Sequence, residues 1–272
     1  MPDDCWGLTS LPGALDNNFY FMESLAANAE LLGSGMTELH RLTRMELLLG
    51  SAGITKLANA SVAVFGVGGV GSYAVEALAR GGVGRLTLVD FDTVCVSNIN
   101  RQIHALEKTV GRVKVEVMAE RCREINPQIE VIARHAYYEA DTAAELLAEP
   151  FDYVLDCIDK ITSKIHLIQY CYEHGLPIIS SMGAANKLDP TQVLVSDLAK
   201  TEKCRLARTM RRELRKRGIS KGVKVVYSTE EFRPLTGPDA EARKPVLGSS
   251  SYLPPIFGLT MAGEVIRHLS GH

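Results

Sequence analysis

A short stretch of this chain holds residues of the right types and spacing for phosphate chemistry. Directly after the apolar run Ser61–Phe65 comes Gly66-Val67-Gly68-Gly69-Val70-Gly71, and a helical pattern, Ser72–Ala79, follows it. Glycines at that spacing let a backbone approach a phosphate, and the N-terminus of the next helix offers unpaired N–H donors and a partial positive charge. A second apolar run ends in Asp90, at the distance from which a carboxylate reaches a ribose hydroxyl. Taken alone, the turn fits NAD, FAD or ATP.

The residues that follow separate these possibilities. Asp90-Phe91-Asp92 leads to Asn98-Ile99-Asn100-Arg101-Gln102, and then to Lys114 after Gly111-Arg112-Val113. Two cations, Arg101 and Lys114, with the amides of Asn98 and Gln102, converge where the phosphates would lie. Attack of a carboxylate on an α-phosphate builds charge that Arg and Lys donors stabilise as pyrophosphate leaves. Plain hydride transfer has no such need. Asp156, in Leu155-Asp156-Cys157-Ile158-Asp159, closes a further apolar run where strand ends meet a nucleotide crevice. With Asp92 nearby it is a candidate magnesium ligand, because that ion takes one or two carboxylates plus phosphate oxygens. Asp156 has capping the next helix as its alternative, and for Asp159 capping is the preferred reading.

These groups need elements to carry them. Strands are expected at 61–65, 85–90, 129–133, 153–156 and 178–181, alternating with helical patterns near 70–80, 112–124, 141–148 and 162–174. That alternation predicts an α/β fold, a Rossmann-like, mostly parallel sheet flanked by helices. After Ser181 the rhythm changes to 192–195, a basic helical segment at 205–217, 223–227, a Pro/Gly/Ser-rich stretch at 236–255 and a final helix at 256–269, a C-terminal mixed α+β extension. An amphipathic segment is expected from Arg41 to about Gly50. Residues 1–36, with a short apolar stretch at 19–32, read as an N-terminal extension, and 37–272 as the domain that carries the chemistry.

Composition narrows the class. The chain has 272 residues, 46% of them hydrophobic, and no apolar run of the ~20 residues needed to cross a bilayer. The first forty residues hold no Lys or Arg, which is wrong for a secretory or transit signal and points to the cytoplasm. The six cysteines form no C-x-x-C pair, so ordinary thiols are expected, Cys157 and Cys204 included. Net charge is −2, yet residues 203–224 hold ten Lys or Arg against one acid, leaving the remainder near −11. Arg208, Arg211, Arg212 and Arg215 share one helical face, suited to the phosphates of an RNA; a solvated charged helix is the alternative. His104 is a tempting acid or base, but a structural role is the better expectation.

Arg41 and Arg44, Gly66-x-Gly68-Gly69-x-Gly71, Asp90-Phe91-Asp92, Asn98-x-x-Arg101-Gln102, Lys114 and Asp156-Cys-x-Asp159 together resemble the ubiquitin-activating-like adenylating family. By that resemblance the cofactor is ATP with magnesium: Asp90 binds ribose, Arg101 and Lys114 bind phosphates, and Asp156 binds the metal. Arg44 or Arg41 would reach the nucleotide of the other protomer in a homodimer. Ser180–Pro190, Val195–Thr201, Tyr227–Glu230 and Pro254–Glu264 look like the branch that dehydrates threonylcarbamoyladenosine in tRNA. The resemblance then implies a tRNA partner, and admits the monovalent cation and sulfur-transfer protein partner known for some members. Adenylation of the C-terminus of a ubiquitin-like carrier protein is the competing expectation. The chain lacks the zinc cysteines common there.

Overall fold

The computed structural model describes residues 39–234 and 247–272. The extension at 1–36, its apolar stretch and part of the stretch at 236–255 lie outside the described residues. Contacts divide the chain at Thr43. In the preceding unit the described residues form a turn in which the Thr43 hydroxyl donates to the His40 carbonyl at 2.8 Å.

The unit from Arg44 onward is built on one sheet. Its strands are β1 (Ser61–Phe65), β2 (Arg85–Asp90), β3 (Glu130–His135), β4 (Tyr153–Asp156), β5 (Ile178–Ser181), β6 (Val193–Asp197) and β7 (Lys224–Ser228). Among the described residues they lie in the order β3-β2-β1-β4-β5-β7-β6, all parallel except β6, which runs antiparallel to β7. β1 and β4 are apolar and almost wholly buried because helices cover both faces of the sheet.

Helices α1 (Thr43–Asn59), α2 (Gly71–Arg80), α3 (Lys114–Ile125), α4 (Ala140–Leu146), α5 (Ile161–Glu173), α6 (Arg205–Arg215) and α7 (Leu253–Ser270) complete the unit. On one side of the sheet α2 packs on α7 through Ala74, Leu78, Phe257 and Met261, over Val62, Val64 and Leu88. On the other, Leu146 of α4 and Leu167 and Cys171 of α5 lie against Ala63, Phe65 and Val154. A separate cluster joins Met210 and Leu214 of α6 to Ile165, Ile168 and Val225. Among the described residues no helix is long and apolar enough to cross a membrane.

The alternation read from the sequence is present, with β4 and β5 at their expected bounds. One element differs. The amphipathic segment does not stop at Gly50: the chain kinks there (φ 68°, ψ 166°) and resumes as helix to Asn59. Glycine at a left-handed φ imitates a helix stop, but Ser51 onward starts a second run that buries Leu57.

The sheet order reverses direction between β1 and β4, the crevice where ligands bind in open α/β sheets. Phe65 stands level with Val89 on one side and Asp156 on the other, so the ends of β1, β2 and β4 meet there.

Candidate functional site

The turn after β1 is compressed into a shape only glycine permits. Gly66 has φ +87°, and a Cβ there would lie 2.8 Å from the Cys157 carbonyl oxygen; at Gly71 a Cβ would lie 1.8 Å from the Gly66 oxygen. The turn thus folds back on the first residue of α2 and rests against the loop after β4. Asp90 fixes its other side. Val67 N–H donates to one Asp90 carboxylate oxygen at 2.6 Å, and Asp92 N–H donates to the other at 2.8 Å. Burial raises the Asp90 pKa, and those two N–H groups and Lys114 only partly offset it.

These elements open into a cavity of about 800 Å³. Gly66, Gly68, Gly69, Asp90, Asp92, Asn98, Arg101, Gln102 and Lys114, all expected from the sequence, line one end. Lys114 Nζ donates to Asp92 Oδ2 at 2.7 Å, with the lysine side chain 6% exposed and the aspartate 46%. Arg101 lies across the turn, its Cγ 3.4 Å from where a Gly69 Cβ would stand, and donates to the Ser97 carbonyl and Asn100 Oδ1, each at 2.8 Å. Asn98 accepts the Cys95 N–H at 3.1 Å. The buried Gln102 Oε1 has no hydrogen-bond partner.

Beside Asp90 the wall is aromatic. Phe91 and Tyr137 meet edge to face at 4.6 Å, and Lys160 Nζ stands 4.6 Å from the Tyr137 ring centre. A flat ring fits this shelf next to the Asp90 carboxylate. The sequence reading missed it, because Tyr137 belongs to the loop after β3 and reaches the site only through sheet order.

Asp156 is a correction. Its carboxylate is not on the cavity wall: the side chain is 0% exposed, as is that of its partner Lys164. Lys164 Nζ donates to Asp156 Oδ2 at 2.8 Å, Ser180 Oγ to the same oxygen at 2.6 Å, and Ile158 N–H to Oδ1 at 3.2 Å. A carboxylate so enclosed is not available to a metal. Asp159, three residues on and past the strand end, is exposed and lines the cavity. The signal was present in the sequence: Lys164 falls on the apolar stripe of Leu167, Ile168 and Cys171, where a cation needs a buried partner.

Other expected groups divide. Arg44 is exposed on α1 and does not line this chain's cavity. His104 is buried, with neither ring nitrogen hydrogen-bonded; burial, then Lys114 and Arg121, push its pKa down to about 4. It is neutral near pH 7 and off the cavity wall. Burial pushes the Cys157 thiol up, which keeps it protonated. On α6, Arg208, Arg212 and Arg215 are exposed, whereas Arg211 is half-buried and donates to the Thr201 carbonyl at 2.7 Å and to its hydroxyl. These four and Lys216 line a surface recess of about 450 Å³.

The far end of the cavity lies beyond Ser181, in segments that the sequence marked as a branch resemblance and a basic helix but not as cavity wall. Lys187, Lys203, Cys204, Arg205 and Phe232 line it. Lys187 is buried, and its Nζ donates to the Ser228 and Glu230 carbonyls, both at 2.7 Å. Two N–H groups on the 188–189 backbone donate to Glu230 Oε2, at 2.8 and 2.7 Å, which pins this wall.

Comparison with known proteins agrees with this geometry. The ThiF family model matches residues 39–272. The tRNA threonylcarbamoyladenosine dehydratase of Bacillus subtilis (strain 168) is 46% identical over 241 residues, covering 85% of this chain and 95% of that protein. The molybdopterin-synthase adenylyltransferase of Salmonella typhimurium (strain LT2) is 39% identical over 169 residues, covering 61% and 66%. The crystal structure of Escherichia coli tRNA N6-threonylcarbamoyladenosine dehydratase in complex with ATP aligns with a TM-score of 0.78 at 38% identity, covering 85% of this chain and 94% of that one. A second structure of that enzyme contains AMP and aligns with the same score.

Two outcomes follow from the buried groups. Lys164→Met strands Asp156 without its cation and lowers stability by about 3–5 kcal/mol, read as a fall in the urea midpoint; adding Asp156→Leu recovers much of it. For His104 the folded pKa lies below the unfolded one. Below pH 6.5 the unfolded chain therefore takes a proton that the folded chain refuses, and stability falls by about 3 kcal/mol as pH drops to 4. His104→Leu should flatten the urea midpoint across that window; a slope equal to the parent's would mean that the imidazole protonates inside the fold.

Proposed function

Because the chain belongs to the ThiF family, we propose that it uses ATP to dehydrate and cyclise the threonylcarbamoyl group on an adenosine of tRNA. The observation that carries this reading is the cavity itself. One end has a glycine turn, a ribose-facing carboxylate and two cations for a nucleotide, and the other end is open to a second, anionic reactant. Activity on tRNA is supported by the named relatives, whose lengths this chain spans almost fully in the Bacillus case.

The substrate carboxylate attacks the α-phosphate, the bond to the β-phosphate breaks, and pyrophosphate leaves. Arg101 and Lys114 stabilise the charge that builds on the phosphate oxygens, and Asp90 holds the ribose. An atom of the neighbouring urea then attacks the acyl carbon, expelling AMP and closing a ring. The net change is loss of one water. Attack within one molecule has a high effective molarity, so no enzyme cysteine is required as a relay. The protonated Cys157 fits that role poorly.

Magnesium fits the donors present: Asp159 and Asp92 face the cavity, and among the described residues no group of three or more His, Cys, Asp or Glu forms a cage. An ion that takes one or two carboxylates and completes its shell with phosphate oxygens suits such a wall, and when bound it neutralises phosphate charge. The assignment moves from Asp156 to Asp159. Arg44, exposed and not part of its own chain's cavity lining, would serve the nucleotide of a partner protomer in a homodimer. Residues 37–272 act as one adenylating domain in the cytoplasm, and the exposed arginines of α6 position the tRNA through its phosphates. Neither a monovalent cation nor a sulfur-transfer protein is part of this reading.

The test is AMP and pyrophosphate release from ATP with magnesium, comparing tRNA carrying threonylcarbamoyladenosine with unmodified tRNA, while mass spectrometry follows the nucleoside. Turnover only with the modified tRNA, with loss of one water, is expected; AMP formation that ignores tRNA but answers to a small carrier protein would replace this reading. In the same assay Lys114→Met should lower kcat by about 100-fold or more, as for loss of a fixed donor to a charged transition state.

A further inference from the structure

The cavity is electrostatically two-ended. The carboxylates on its wall, Asp90, Asp92 and Asp159, all belong to the glycine-turn end, whereas among the described residues the lining from Ser181 onward carries Lys187, Lys203 and Arg205 and no carboxylate. From this asymmetry we infer that the second end is the subsite for the modified nucleoside, with Phe232 and Arg205 stacking the base and Lys187 and Lys203 drawing its carboxylate. The inference rests on the activity proposed above and names the residues that select its substrate.

Four observations support it. The Arg205 guanidinium lies 4.2 Å over the Phe232 ring, and aromatic rings and arginine planes are the surfaces on which proteins stack single bases. Lys187 gives two of its three donors to carbonyls, which leaves one at the wall of the cavity. Lys203 and Arg205 flank the start of α6, whose first turn has no acid, so the partial positive charge of the helix end is reinforced and an anion is favoured there. Lys203 (φ 54°) and Asn186 (φ 57°) are also the non-glycine residues with left-handed backbone among the described residues, and both belong to this wall's segments. Backbone held in that region is costly and gathers at ligand clamps.

The wall continues into the surface recess. Arg205 opens α6 at the cavity, and Arg208, Arg212, Arg215 and Lys216 follow along the same helix, a span of about 15 Å. A nucleoside seated in the cavity would have its flanking phosphates beside a cationic track. That arrangement suits a carboxylate-bearing base within an RNA strand better than the carboxyl end of a protein.

The test measures binding of an anticodon stem-loop RNA, with and without the threonylcarbamoyl group, by fluorescence anisotropy, and ATP affinity separately, on the full chain. Lys203→Gln should weaken the modified RNA about tenfold, as for loss of a charge-assisted partner to its carboxylate, leave the unmodified RNA and ATP within twofold, and Lys203→Arg should restore binding. Equal weakening of both RNAs, or of neither, overturns the subsite while the proposed activity stands. Should the unaltered protein bind both RNAs equally, the proposed activity falls and the subsite with it.

Discussion

A carboxylate with no exposed surface closes the central strand β4, and it is tolerable there only because Lys164 reaches back to it from the following helix. Ion pairs this deep gain little net stability over an apolar pair, yet losing one partner is severe. What the pair provides is position. Asp156 binds β5 through Ser180, binds α5 through Lys164, and turns the chain after β4 by accepting the Ile158 N–H. The loop so fixed presses its Cys157 carbonyl against Gly66, and the same loop presents Asp159 to the cavity. The glycine turn, the cavity-facing Asp159 and the strand order thus share one buried anchor.

Around that anchor, opposite electrostatic environments sit in one enclosure. The nucleotide end mixes acids with cations, and each cation is tied: Lys114 to Asp92, Arg101 to Ser97 and Asn100. Ties of this kind hold a donor in place before a phosphate arrives, so little reorganisation accompanies the reaction. Among the described residues the charged groups lining the other end are all cations, and its backbone is held by Glu230 and Lys187 from within.

Most of this frame was legible in the sequence, for identifiable reasons. Strands buried on both faces are unbroken apolar runs, which is why β1, β4 and β5 could be bounded closely. The glycine turn, Asp90, Arg101 and Lys114 lie within fifty residues of one another, in the order their chemistry requires. What stayed hidden depends on distance in sequence. Tyr137 and Phe232 reach the site from loops brought together by sheet order, and no local pattern marks them; Lys187 fell within a run that marked the branch but not its place on the cavity. Asp156 was misassigned because a strand-end acid can face either the crevice or the interior. Its true setting was signalled by a lysine eight residues later, on the wrong face of an otherwise apolar helix. Gly50 misled for a related reason: one residue's backbone preference says where a helix bends, not whether it resumes.

The two ends of the cavity are also drawn from different stretches of chain. Residues up to about 163 build the nucleotide end, with Pro254 lying over Gly69, and Ser181–Phe232 supply most of the other. Such a layout makes the choice of reactant separable from the means of activating it.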